Sequence, residues 1–367
     1  MISRRFKVGH SAEQAIDELL DSSRRPTTTG PTMSRERTPL VSAWLLKPVV
    51  AALRSRGIAL EPVLEAAGLS SFDIDVPSGK LPRGAAIRLL EAAVVATGEP
   101  AFAISAAALY QPGANVFDYA GVTSPTVGGA LSRVSRYVRL VDEGLQLKLE
   151  FEGHLAKMVF CSRDDEPLPA VLAEYIVAVG VIAARQWVGF SFPVETHFCH
   201  ARPADTSVHE RVLAGNVQFD RDSNAIVFPK VALDIPLRSA DAELLPALDA
   251  QASKLLATSL REALPLQERV RELLRSELEH GNPTTERIAE RLKMSERTLR
   301  RRLSDRHTSL KEILDSLRRE LSLELLSTPG ATIEDVALRL GFSDATAFHR
   351  AFRRWTGKTP GEHLRRG

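Results

Sequence analysis

A chain of 367 residues with 44% hydrophobic and 26% charged side chains has ordinary globular composition, and its length points to two domains rather than one. The formal net charge is only +2 but is unevenly spread: from residue 265 onward about 21 Lys and Arg face about 16 Asp and Glu, near +5, leaving the rest near −3. Two cysteines, Cys161 and Cys199, exclude a disulfide framework and fit a reducing compartment.

The N-terminal stretch MISRRFKVGHSAEQAIDELL carries basic residues without an apolar core segment, so no secretory signal is expected there. Residues 21–39, DSSRRPTTTGPTMSRERTP, are too polar to bury a core, so residues 1–39 are expected to be a disordered tail with a short helix at 12–20. From Trp44 the pattern turns globular. LKPVVAALRSRGI and LEPVLEAAGL predict short helices, each closed by a glycine just past the last apolar residue. PRGAAIRLLEAAVVATG predicts a longer helix, and PAFAISAAALY follows it. The period then changes to alternation: LQLKLEF (145–151) and HLAKMVFC (154–161) flank Glu-Gly and predict a β-hairpin.

An apolar helix is expected at 168–188. Glu174, Arg185 and Gln186 lie within the apolar run 168–190, and they argue for a buried helix rather than a membrane span. VETHFCH (194–200) predicts a strand, DTSVHERVLAG (205–215) a short helix, and VQFD and NAIVFP two more strands. Residues 40–237 therefore read as an α+β domain with helices and antiparallel strands in blocks. Tyr119, Arg185, Trp187, His197 and His200 are its candidate effector-binding residues, each weighed against the commoner core or surface role. No CxxC or paired Cys/His spacing reads as a zinc site, His197, His200 and His209 lie near one another but are not expected to hold a metal, and no GxGxxG, Walker loop or GxSxG occurs. Asp164, Asp165 and Glu166 read as a solvated turn, so neither catalysis nor a cofactor is expected.

SADAELLPALDAQASKLLATSLREAL (239–264) predicts a helix with Pro246 in its first turns, and residues 238–264 a helical linker or a surface for a second copy. From residue 265 onward the pattern is all helical. IAERLKMS (288–295) can be laid against VALRLGFS (336–343), matching Ala289 with Ala337, Arg291 with Arg339, Leu292 with Leu340 and Ser295 with Ser343. One inserted residue later, LRRRL (299–303) lies against FHRAF (348–352). Each copy reads as a helix-turn-helix: a short helix ending in Leu, a turn, and a Ser as N-cap of the next helix.

At about 100° per residue, Leu299 and Leu303 point one way while Arg297, Arg300, Arg301 and Ser304 point the other. In the second copy Phe348, Phe352 and Trp355 form the inner face, and Thr346, His349, Arg350 and Arg353 the outer one. Arginines on an amphipathic helix are most often a solvated face. Two copies in matching phase outweigh that reading and form cationic ridges that fit a major groove. SLKEILDSLRRELSLELLSTP (309–329) predicts one long helix between them.

Through TIEDVALRLGFSDATAFHRAFRRWTGKTPGEHLRR and IAERLKMSERTLRRRL, residues 265–367 resemble the DNA-binding domain of the AraC/XylS family of bacterial transcription regulators. The resemblance implies seven helices, two helix-turn-helix units and a joining helix. It implies base-edge contacts from Arg297, Arg300 and Arg301, with Thr346, His349 and Arg350 in the corresponding positions. Ser295, Ser304, Arg353, Arg354 and Lys358 are expected to touch phosphates, and Trp355 to be core.

FDYAGVTSPTVGGALSRVSRYVRLV and LAGNVQFDRDSNAIVFPKVALDIPLRSAD are similar to the N-terminal domain of a subgroup that includes ornithine-utilisation and mycobacterial virulence regulators. That domain carries an "arabinose-binding" label, but pocket chemistry decides the ligand, and arabinose is not carried over. The expectation is a cytoplasmic, homodimeric, sequence-specific regulator that binds promoter DNA and RNA polymerase. It would be an activator answering to a small-molecule effector, with no metal and no membrane partner. A repressor of the same family is one alternative; a metabolite-binding protein or enzyme with a vestigial basic domain is the other.

Overall fold

The computed structural model describes residues 38–364 apart from 77–78, 113–114, 165, 190–193, 279–280, 282 and 329. The N-terminal tail, save its last two residues, and the short helix at 12–20 lie outside the described residues. The chain divides into two compact units, one ending at Ser259 and the other beginning at Leu260.

The first unit opens with β1 (Leu40–Ser42), which pairs antiparallel with β2 (Lys80–Pro82). Three-residue strands show no alternation long enough to read, and the sequence gives no hint of this ladder. Between and after them run α1 (Lys47–Ser55), α2 (Leu60–Ala67), α3 (Ser71–Asp75), α4 (Arg83–Thr97), α5 (Phe102–Ala107), α6 (Val116–Val122) and α7 (Val127–Tyr137). Gly68 and Gly98, at φ 72° and 67°, end α2 and α4 in the left-handed region.

A five-stranded sheet follows, in the order β3-β4-β7-β5-β6. Its members are β3 (Leu145–Glu152), β4 (Leu155–Ser162), β5 (Glu195–His197), β6 (Asn216–Gln218) and β7 (Asn224–Pro229). The expected hairpin forms, with Leu145 and Leu147 buried and Gln146 and Lys148 exposed. The expectation of purely antiparallel strands fails at one pair. β5 and β6 run parallel because α9 (Ser207–Leu213) carries the chain back between them, as a parallel pair requires.

α8 (Ala170–Val188) packs on β4 and β7. Its length and apolarity would suffice to cross a bilayer, but 61% of the apolar window is buried inside the protein. α10 (Leu245–Ala263) begins later than the sequence pattern suggests. The Asp241 carboxylate accepts from the backbone N–H of Glu243 and Leu244 at 3.0 and 2.8 Å, which holds the preceding turn out of the helix. α10 then packs Leu248, Ala252 and Leu256 against Ala120 and Tyr137. An Arg133–Asp249 ion pair of 3.0 Å fixes it there.

The second unit is helical: α11 (Leu266–Leu278), α12 (Thr285–Arg291), α13 (Glu296–Ser304), α14 (Leu310–Leu326), α15 (Ile333–Arg339), α16 (Ala345–Thr356) and α17 (Pro360–Leu364). It has two small cores. Val270, Leu274, Ile288, Leu299 and Leu303 close the first with Ile313 and Leu317 of α14. Val336, Leu340, Phe348 and Phe352 close the second with Leu326 at the other end of α14. Leu321 packs against both, so the long helix is structural to each half.

Candidate nucleic-acid interface

The two halves are built alike from their caps upward. Thr284 accepts from the Arg287 N–H to open α12, and Thr332 accepts from the Asp335 N–H to open α15. Each helix runs seven residues, and Leu292 and Leu340 then bury into their respective cores. The chain next turns through a left-handed residue, Lys293 at φ 55° in one copy and Gly341 at φ 70° in the other.

Ser295 Oγ accepts from the Thr298 N–H at 3.2 Å and opens α13. The second cap departs from expectation: Asp344, not Ser343, caps α16, its carboxylate accepting from the Ala347 N–H at 2.7 Å. The Ser343 hydroxyl donates to the other Asp344 oxygen at 2.9 Å. The residue inserted in the second turn moves the cap one place along, and a carboxylate there also meets the positive end of the helix. The Ala347 N–H, and after it the Ser343 hydroxyl, hold the Asp344 carboxyl below its usual range.

Counted from the caps, Arg297, Arg300 and Arg301 fall opposite Thr346, His349 and Arg350, and Ser304 opposite Arg353. Leu299 and Leu303 are buried on the inner side of α13, as Phe348 and Phe352 are on α16. Trp355 is half-buried beside Phe342, ring centroids 6.0 Å apart. Arg297, Arg300, Arg301, Thr346, Arg350 and Arg353 are exposed, and His349 is half-buried.

The exposed charges are not all equally free. Arg300 pairs with Glu296 one turn earlier at 2.9 Å. Arg354 pairs with Asp315 of α14 at 3.0 Å. Lys358 is exposed just past Gly357, which ends α16 at φ 76°. Ser304 is exposed at the last turn of α13, while the Ser295 hydroxyl is engaged in its cap and also meets Thr298 Oγ1 at 2.9 Å.

Two supporting groups were not legible as such. Arg318 of α14 donates to the carbonyls of Leu340 and Gly341 at 2.8 and 3.2 Å, and its guanidinium lies 4.6 Å from the centroid of the Phe342 ring. It thereby anchors the second turn from beneath. The signal is its spacing of four and three residues from Leu314 and Leu321, which places it in the apolar stripe. In the first half, the buried Glu277 carboxylate pairs with Arg287 and Arg291 at 3.2 and 2.9 Å, tying α11 to α12.

In the N-terminal unit a cavity is lined by side chains of α7, α8 and the sheet. Arg185 and Trp187 line it; Tyr119, His197 and His200 do not. Tyr119 is 46% exposed on α6. His197 meets Glu195 at 2.5 Å. His200 lies 3.5 Å from Glu174, which His209 also contacts at 2.7 Å.

Residues 57–237 match the arabinose-binding N-terminal domain of AraC transcription regulators, and residues 288–366 match a helix-turn-helix domain. The chain is 28% identical over 337 residues to the ornithine utilization regulator of Pseudomonas aeruginosa, covering 89% of this chain and 96% of that one. It is 28% identical over 249 residues to the transcriptional regulator VirS of Mycobacterium tuberculosis, covering 65% and 70% respectively. Among solved structures, the transcriptional regulator CdpR of Pseudomonas aeruginosa is 23% identical over 87% of this chain and 97% of that one, with a TM-score of 0.42. With both domain types in this order and paired, capped helix-turn-helix units on one joining helix, the chain belongs to the AraC family and is a DNA-binding transcriptional regulator.

Proposed function

We propose that α13 and α16 enter successive major grooves of one promoter duplex, and that the protein activates transcription in response to a small molecule held by its N-terminal unit. The matched phase of the two helices carries this reading. Each presents its outward set opposite a pair of fully buried anchors. Arg300 or Arg301 would pair bidentately with guanine O6 and N7, a contact worth ~1–3 kcal/mol of discrimination. Thr346 and His349 are shorter readers, so Arg297, Arg300 and Arg301 of α13 supply most of the specificity and Arg350 the main contact of α16.

Ser295, Ser304, Arg353, Arg354 and Lys358 position the duplex through its phosphates. Arg354 exchanges Asp315 for a phosphate when DNA arrives. The 17 residues of α14 span ~25 Å, a spacer of the order needed for readers one DNA turn, ~34 Å, apart.

In this reading residues 40–237 sense the effector and mediate dimerisation, 238–264 link, and 265–367 bind DNA. Leu244, just before α10, and Leu255, on it, are exposed and give the linking segment a surface of its own for pairing with a second copy. RNA polymerase is the partner in the cytoplasm. Gel shifts with DNA upstream of its own gene should give a complex that survives excess competitor DNA at about 150 mM salt. Absence of any sequence preference there would end this reading. Transcription reconstituted with RNA polymerase should rise on adding the protein, and a fall would make it a repressor.

A further inference from the structure

The N-terminal unit holds a cavity of about 110 Å³ that is partly open to solvent. Among its described lining residues only Asp142 and Arg185 carry charge; the rest are almost all aliphatic or aromatic, such as Leu131, Val134, Met158 and Phe160. The polar groups on the lining differ in whether they are already used. Asp142 pairs with Arg83 at 3.1 Å and accepts from the Gly144 N–H at 2.9 Å. The Tyr110 hydroxyl donates to Asp118 at 2.8 Å.

Arg185 is different. Its Nη1 donates to the Val212 carbonyl at 2.7 Å, but Nε and Nη2 are buried without a partner, and so is the Trp187 indole Nε1. Trp187 is 7% exposed. No carboxylate pairs with Arg185 among the described residues, and burial pushes its guanidinium below the usual arginine range without removing the charge. Nε–H and Nη2–H form one edge of the guanidinium fork, the edge that takes a carboxylate through two parallel hydrogen bonds.

We propose that this cavity binds a monocarboxylic acid with an extended apolar body, its carboxylate accepting from Arg185 Nε–H and Nη2–H. The unspent groups are all donors, so the ligand head must offer acceptors, and the unbalanced positive charge asks for an anion. The remaining wall asks for hydrocarbon. A sugar would leave most of its hydroxyls against valine, leucine and phenylalanine side chains, which is unfavourable. The identity of this ligand rests on the effector reading above and narrows it to one chemical class.

The test is a calorimetric titration of the full chain with sodium decanoate, below its micelle concentration, and with decan-1-ol. Decanoate should bind saturably, one per chain, about tenfold or more tightly than the alcohol, the effect of charge-assisted hydrogen bonds. Arg185→Met should remove that preference, Arg185→Lys should keep part of it, and Val134→Trp should weaken both ligands by filling the cavity. Equal binding of acid and alcohol to the native protein, or no binding of decanoate, overturns the assignment without needing a variant. An unchanged preference in Arg185→Met overturns it as well. Arg185→Gln supplies a second variant if Arg185→Met does not fold, with a reduced preference expected and an unchanged one counting against the site.

DNA affinity measured in the same samples separates the two ideas. Decanoate binding with no change in DNA affinity keeps the site and removes its role as effector pocket. A change in DNA affinity with a ligand of other chemistry, while decanoate does not bind, keeps the effector reading and removes this ligand class.

Discussion

At the scale of single residues, the proposed readers and the proposed clamps differ in what their loss should do. Arg301→Ala and Arg350→Ala should each cost ~1–3 kcal/mol of binding to the preferred sequence and relax the preference at one half-site. Lys358→Ala should weaken all sequences alike and lower the salt slope by about one. Competition binding across a panel of half-site variants distinguishes these, and equal, sequence-independent losses for all three would remove the division of roles. The cap of α16 offers a second residue-scale test. Asp344→Ala should lower the melting temperature of the DNA-binding unit more than Ser343→Ala, since only Asp344 takes the backbone N–H. Because the folded Asp344 pKa lies below its ordinary value of 3.8, its stabilisation is complete above about that pH. It fades as pH falls through the lowered folded value, where native protein and Asp344→Ala should converge.

At the scale of elements, the two helix-turn-helix units share a backbone but not the residues that enforce it. Gly341 occupies a left-handed conformation without penalty, whereas Lys293 holds the same conformation with a side chain. Gly341→Val should destabilise the unit by ~1–2 kcal/mol, and Lys293→Gly should leave its melting temperature no lower. Arg318 secures the second turn through two carbonyls and the Phe342 ring. Arg318→Ala should therefore cost ~1–3 kcal/mol of stability, with recognition lost at the half-site read by α16 before the one read by α13. Footprinting at rising temperature would show that order, and simultaneous loss at both half-sites would contradict it. The heptad-like spacing of Leu314, Leu317 and Leu321 reveals a long helix. It does not reveal that Arg318, in the same stripe, faces a turn rather than solvent.

At the scale of the whole molecule, each unit closes its own hydrophobic cores. Residues 260–367 expressed alone should fold cooperatively and keep sequence-selective DNA binding while losing any response to an effector. Circular dichroism melting and gel shifts check this, and an unfolded fragment would mean that the cores do not suffice. The helix-turn-helix pair is legible along the chain, because amphipathic period, caps and a duplicated pattern are local features repeated within each copy. The hairpin 145–161 and the buried character of α8 are legible too, through alternation and through charges inside an apolar run. The short β1–β2 ladder, the parallel β5–β6 pair, and the choice of which of the five candidate pocket residues line the cavity emerge only from packing in three dimensions. So does the hand-over of the second cap from Ser343 to Asp344 by the inserted residue. Those outcomes depend on which distant segments meet and on which donors are left unpaired after they do, and neither is written in the spacing of residues along one chain.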